Sequence, residues 1–252
     1  MKSNGRFAAA LAWAALSGAV AAPAGAQEVA DTADDAPPPQ IELHLDRLAA
    51  GADTFELVHQ GQPIGRIFTT LEREGEDFVF RERTETPMGH QETEVRFSAA
   101  GEMREVSQQG KAGPTDTRIE LTYAEGRVRG AARVAQPGGE PPRELTIDAA
   151  VPPGVVDDNL LMVLFPALDL EPGRSFAIPV FAAGQDTLRE YRFEVSPGPE
   201  LEVAGGSFPT LRLDAEGAGM PLAFLVTESE PHALLKILPA GPVEVVRESA
   251  VP

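Results

Sequence analysis

The chain contains no cysteine. That excludes a disulfide framework, thiol catalysis, cysteine-ligated metals, iron–sulfur clusters and lipidation on cysteine. Aromatic residues are also scarce, at 6%, with Trp13 the sole tryptophan and Tyr123 and Tyr191 the sole tyrosines. A glycosidase sets two carboxylates in a cleft beside sugar-stacking aromatics, and this chain has few aromatics to offer. Positive charge is in short supply as well: 21 Lys plus Arg stand against 39 Asp plus Glu, for a net charge of −18. Phosphate backbones are bound by displacing counterions with Lys and Arg, so a nucleic-acid partner is not expected. Docking on anionic membrane surfaces is opposed by the same charge. The hydrophobic share of 42% can build a lean core, and packing must supply the stability.

The first twenty-six residues read as an export signal. Lys2 and Arg6 form a basic start, Phe7 to Val20 an apolar stretch, and Ala24-Gly25-Ala26 an A-x-A cleavage pattern before Gln27. The apolar stretch is shorter than the roughly 20 residues a bilayer-spanning helix needs, so no stable membrane insertion is expected after cleavage. No twin arginine is present, which points to the general secretion route and the periplasm. Gln27 stands where a bacterial lipoprotein would carry cysteine. Cleavage removes Lys2 and Arg6 and leaves 226 residues (252 less 26) with a charge of 19 minus 39, or −20.

Residues 27–40 are acidic, lack aromatics and end in Pro37-Pro38-Pro39, the composition of a disordered spacer. Ile41 to Ala50, closed by Gly51, reads as a short helix with a glycine C-cap. From Asp53 the hydrophobic period becomes two. Gly61-Gln62-Pro63-Ile64-Gly65 is a turn cluster, and strands are expected at 66–73, 77–85, 91–97, 103–109, 118–123, 127–134 and 143–149. Further strands are expected at 175–181, 187–195, 200–203, 210–215, 222–227, 233–238 and 243–248. The alternation is clearest in Arg118-Ile119-Glu120-Leu121-Thr122-Tyr123 and in Arg189-Glu190-Tyr191-Arg192-Phe193-Glu194-Val195. One interruption stands out: Asp157-Asp158-Asn159 precedes Leu160 to Phe165, and Pro166 follows. An Asp cap and a trailing proline predict one short apolar helix over 158–165. The expected fold is all-β, with one or two short helices, in a single antiparallel domain over 41–252.

The known constellations of site chemistry are missing. Gly205-Gly206-Ser207-Phe208 has a serine but Pro209 where a nucleophile elbow needs glycine, so it reads as a turn. His90 and Glu92 would share one strand face, yet two ligands fall short of a zinc site. Asp157-Asp158-Asn159 lacks the rest of a calcium loop and is better read as a helix cap. Glu72, Glu74, Glu76 and Asp77 cluster at a turn by composition alone. Gly61 to Gly65 lacks the Lys-Ser/Thr of a phosphate loop. Arg81-Glu82-Arg83 and Glu92-Thr93-Glu94-Val95-Arg96 read as solvated strand faces, whose exposed ion pairs contribute only about 0.2–1 kcal/mol each. No catalytic, metal or cofactor-binding residue is assigned, and no cofactor is expected.

Three stretches carry a resemblance: Phe55-Glu56-Leu57 with Gly61-Gln62-Pro63-Ile64-Gly65; Gly205-Gly206-Ser207-Phe208-Pro209-Thr210 leading into Leu211-Arg212-Leu213; and Leu222 to Lys236 with Pro231. With the order of signal, acidic spacer, strands, apolar helix and strands, 41–250 resembles the LolA/LolB lipoprotein-carrier-like superfamily. It resembles more closely the uncharacterised secreted bacterial families near it. The resemblance implies a curved, half-open antiparallel barrel around an apolar cavity, with Leu160 to Phe165 as its lid. Carriers that hand over lipids usually have a basic entrance, and this chain departs from them in being acidic.

The leading expectation is an exported noncatalytic envelope protein that binds a lipid or acylated ligand on the concave face of a curved sheet. Phe80, Phe97, Leu121, Leu161, Leu164, Phe165, Phe193 and Phe224 are the residues expected to line the cavity or its lid. Two alternatives stand beside it. One is an interaction module that recruits an envelope protein partner through a sheet edge. The other is a hydrolase with an unrecognised site. Export is directly testable. Mass spectrometry of the exported protein should place its N-terminus at or next to Gln27, and Ala26→Arg should abolish that product.

Overall fold

The computed structural model describes residues 39–112, 115–134, 136 and 140–251. The expected export signal and all of the expected spacer except Pro39 and Gln40 lie outside the described residues. Eight strands follow one another first: β1 (Gly51–His59), β2 (Gln62–Glu74), β3 (Asp77–Thr86), β4 (Gly89–Ser98), β5 (Met103–Ala112), β6 (Thr115–Ala124), β7 (Arg127–Val134) and β8 (Arg143–Ala150). After a loop come β9 (Val156–Asp157), β10 (Ser175–Ala182), β11 (Thr187–Pro197), β12 (Leu201–Val203), β13 (Gly206–Phe208) and β14 (Thr210–Glu216). The chain closes with β15 (Leu222–Thr227), β16 (Leu234–Pro239) and β17 (Val243–Arg247).

Fifteen strands form one sheet in the order β8-β7-β6-β5-β4-β3-β2-β1-β17-β16-β15-β14-β11-β10-β9. Nearly every pairing is antiparallel; β9 alone joins β10 in parallel, through Val156 opposite Val180. β12 and β13 form a separate hairpin. The sheet curves into a half-open barrel and does not close. Two-residue turns set the register of the tightest hairpins. Gln60-Gly61 and Glu125-Gly126 both hold positive φ at each position, 51° and 76° in the first and 53° and 69° in the second. That is the geometry that matches strand twist, and glycine at the second position carries it without a Cβ penalty.

Period-two alternation sends Phe55, Leu57, Ile67, Phe80, Val95, Phe97, Val106 and Leu121 to one face, where all are buried. The opposing half supplies Phe176, Phe193, Leu213 and Phe224 to the same cluster. Between the halves run the connecting segments. β9 packs against β5, the turn at 158–163 against β4, and the turn at 183–185 against β6 and β7. The Tyr123 ring meets Phe181 edge to face at 6.4 Å across this seam.

Both expected short helices form as 3-10 turns. Over 41–50 only a single 3-10 turn forms, Leu45–Arg47, and Gly51 opens β1 instead of capping a helix. Ten residues are too few to sustain an isolated helix, and tertiary contacts claim this segment. His44 N–H donates to the Ala167 carbonyl at 2.8 Å, and the Asp169 carboxylate takes Arg47 at 2.6 Å and His44 at 3.0 Å. The apolar element at 158–165 is two 3-10 turns, Asp158–Val163 and Phe165–Ala167. Asp157 does cap the first, accepting from the Asn159 N–H. Pro166 has no N–H to continue the ladder, and the tighter winding stacks residues three apart. Leu161 and Leu164 therefore share a face, and Leu160 is buried beside them. The Gly61–Gly65 turn shrinks to Gln60-Gly61, and β2 begins at Gln62.

Leu164 is 1% exposed, so its truncation leaves a cavity in the centre of the cluster. Leu164→Ala should lower stability by about 2–5 kcal/mol. In urea the transition midpoint should fall while the slope is unchanged.

Candidate functional site

The inner face is not uniformly apolar. Glu82 of β3 lies opposite Thr69 of β2 and Thr93 of β4, and Thr93 lies opposite Gln108 of β5. These four make one row straight across four strands. Two residues further along each strand, the row Leu71, Phe80, Val95, Val106 and Leu121 is wholly apolar. On the other side Ile67 gives way to Thr84 and Gln91. Side chains two apart in a strand share a face, so all of these look inward. This corrects the reading of Glu82 and Thr93 as members of solvated faces: Thr93 is 3% exposed and Glu82 is only half-buried. The signal was present in the sequence. Glu82 follows Phe80 by two, Thr93 precedes Val95 by two, and Gln108 follows Val106 by two.

The row is incompletely satisfied. The Thr84 hydroxyl donates to Glu82 Oε1 at 3.0 Å, and the Thr69 hydroxyl reaches the Asp53 carbonyl at 3.5 Å. Thr93 Oγ1 and Gln108 Nε2 are buried with no hydrogen-bond partner among the described residues. Such orphans are rare, because each costs about 1–3 kcal/mol. Burial pushes the Glu82 carboxyl up from 4.5 to about 7, and the Thr84 hydrogen bond opposes that rise.

The belt ends in an ion pair. Asp53 lies opposite Thr69, and its carboxylate accepts from Arg247 and, at 3.1 Å, from Ser249 Oγ. Arg247 is 4% exposed, donates to the Leu234 carbonyl at 3.0 Å, and stands 5.7 Å over the Phe55 ring. Burial lowers its guanidinium from the ordinary value, and Asp53 counters that.

The eight residues expected to line a cavity or lid are all buried and all belong to one contiguous apolar cluster. Phe80 and Leu121 sit in the apolar row beside Glu82. Phe97 stacks on Phe78 at 5.3 Å. Phe165 contacts Phe224 at 4.9 Å, and Phe224 contacts Phe193 at 6.2 Å. Leu161 comes from the 3-10 turn that faces β4, and Leu164 is the residue that ends that turn.

A second buried polar group lies in the seam. Asp157 is fully buried; its Oδ2 accepts from the Tyr123 hydroxyl at 3.1 Å, and its Oδ1 from Asn159 N at 3.1 Å and Asn159 Nδ2 at 2.6 Å. The carboxyls of Asp157 and Asp158 also hydrogen-bond each other. Burial raises both carboxyls above the ordinary carboxylate range, and Asp158 well above it, where the charge of Asp157 adds to burial. Burial likewise pushes the Tyr123 hydroxyl upward. Every oxygen of Asp157 is engaged, and the cluster works as a clamp between β6 and β9.

Over β2 to β5 lies a cleft of about 580 Å³, lined by the outward residues Phe68, Thr70, Arg81, Arg83, Glu92 and Glu94 and also touched by Glu82 and Thr93. Its charges are already matched. Arg81 reaches Glu72 at 2.6 Å, Glu94 at 2.8 Å and Glu74 at 3.2 Å, while Arg83 lies 4.9 Å over Phe68. His90 and Glu92 are exposed, and among the described residues no group of three or more His, Cys, Asp or Glu could hold a metal. Ser207 follows the turn at Ala204-Gly205 and donates to Glu200 at 2.6 Å, with no histidine partner. No described helix is long and apolar enough to cross a membrane.

An all-β half-open barrel with a polar row on its concave face defines the class of protein. The chain belongs to the DUF3108 family, described as a protein of unknown function, which matches residues 55–244. Among solved structures, the crystal structure of a DUF1089 family protein from Pseudomonas aeruginosa is similar, at 11% identity and a TM-score of 0.38. The match covers 67% of this chain and 87% of that one. No curated protein matches the chain. Neither description names a LolA/LolB carrier.

Because Glu82 holds its proton more tightly when folded, its stabilising contribution is complete below pH 4.5 and is lost as pH rises through about 7. Glu82→Gln keeps the group neutral. It should leave stability unchanged at pH 4 and raise it by roughly 1–3 kcal/mol at pH 8, measured by denaturant titration at both pH values.

Proposed function

We propose that this is a noncatalytic protein of the bacterial envelope that binds an apolar or acylated ligand on the concave face of its curved sheet. One observation carries the reading. A wholly apolar row and a polar row with unpartnered donors lie side by side on the inner face of β2 to β5. An amphipathic ligand matches that pairing, with its chain on the first row and its head on the second. The resemblance to LolA/LolB carriers supports the same reading, and the leader pattern read at residues 1–26 supports a periplasmic location. In this reading Leu161, Leu164 and Phe165 are the cover that a bound chain displaces from Phe193 and Phe224.

A second reading has its own observation. Among the described residues β8 pairs with β7 alone, and its other edge could take a partner strand. Uptake of ligand separates the two. The wild-type protein should bind a fluorescent long-chain fatty acid saturably, and Leu164→Ala should retain or increase that uptake. Absence of uptake of any long-chain probe, with circular dichroism still strand-dominated, would remove the carrier reading and leave the β8 edge.

A further inference from the structure

We propose that Glu82, Thr93 and Gln108 form the seat for the carbonyl oxygen at the head of an acyl chain, whether a free carboxylate or an ester. The inference rests on the concave-face reading above and gives it a head-group chemistry.

The argument starts from what is missing. An amide nitrogen can only donate, so the unpartnered Gln108 Nε2 lacks an acceptor. Thr93 Oγ1, opposite it on β4, lacks a partner too. Both are buried, at 2% and 3% exposure, and strand alternation turns both to the concave face. A carbonyl oxygen has two lone pairs and no hydrogen. It can accept from the amide and the hydroxyl together and brings no donor that would need a partner of its own. Its alkyl chain then has one direction to take. Two residues along each strand, about 6.8 Å away, lies the row of Phe80, Val95 and Val106. An acyl group carries its acceptor directly on an apolar tail, which is the juxtaposition the two rows present.

Glu82 sorts the possible sources. It flanks Thr93 on the side away from Gln108, and its half-buried carboxyl meets neutral groups nearby: Thr69 of β2, Thr84 of its own strand, and Gln91 and Thr93 of β4. The charged groups beyond them are engaged. Asp53 and Arg247 pair with each other on β1 and β17, and Asp158, on the turn against β4, bonds Asp157. A protonated Glu82 can donate to a carboxylate, whereas an ionised one repels it. An ester is indifferent to that charge. Burial holds Glu82 at about 7, so the distinction falls within an accessible pH range.

The test is displacement of a fluorescent apolar reporter from the exported protein by dodecanoate, methyl dodecanoate and dodecane. Wild type should bind at least one of the two carbonyl-bearing probes about tenfold tighter than dodecane. Thr93→Val and Gln108→Leu should each weaken carbonyl binding about five- to tenfold and leave dodecane unchanged. Both variants should melt at or above the wild-type temperature, because each removes an unpartnered buried polar atom, so lost binding cannot be ascribed to unfolding. For a free carboxylate, dodecanoate affinity should fall severalfold between pH 6 and pH 8.5 and become flat in Glu82→Gln. For an ester-linked chain, methyl dodecanoate should bind tighter at both pH values. If dodecane binds as tightly as both carbonyl probes, or the Thr93 and Gln108 variants bind all three like wild type, the carbonyl seat is overturned and concave-face binding stands. If no probe displaces the reporter and the reporter itself does not bind, both fall.

Discussion

The pairing of β1 with β17 joins two runs of antiparallel strands into one sheet. Phe55 meets Arg247, and Leu57 meets Val245, across almost the whole length of the described chain. Every other antiparallel neighbour in the main sheet is near in sequence, with β11 and β14 separated only by the short β12–β13 hairpin. Closing so long a loop costs conformational entropy that local hairpins do not. Burial repays it at this junction, where Leu57 and Val245 are fully buried. Arg247 adds direction: its guanidinium ties β17 to Asp53 of β1 and to the Leu234 carbonyl at the start of β16. Breaking one partner of a buried ion pair strands the other, so this contact fixes the register as well as the pairing.

Once the halves are joined, curvature brings β9 and its following turn against β4 and β5. The clamp of Tyr123, Asp157, Asp158 and Asn159 holds that approach. Its carboxyls are satisfied within the cluster, which makes it a structural device. The orphaned donors of Thr93 and Gln108 are its opposite in kind. They stand on a face otherwise lined with apolar side chains.

The charge of the protein sits outside. Arg81 gathers three carboxylates, Arg127 reaches Asp148 at 2.7 Å, and Arg212 reaches Asp214 at 2.5 Å. Pairs this exposed add little to stability. On the inner face, burial rather than any neighbouring charge has shifted the carboxyl of Glu82.

By itself the sequence determined the all-β class, the turns and nearly every strand of the main sheet. Those follow from local rules: period-two alternation as in Arg118 to Tyr123, and turn chemistry as in Glu125-Gly126. It also determined that Asp157 caps the segment after it, since an Asx side chain finds the nearby N–H without help from the fold. The tertiary structure decided what local rules cannot reach. Leu45 to Arg47 and Asp158 to Ala167 wind as 3-10 turns because distant partners such as Ala167, Tyr123 and Phe224 claim their atoms. The parallel contact of β9 with β10 rests on two residues and leaves no periodic trace. The polar row was written in the sequence but not legible in it. Glu82 between two arginines looks like surface charge until β2 and β4 set it beside Thr69 and Thr93, and only the register of neighbouring strands makes scattered residues a row.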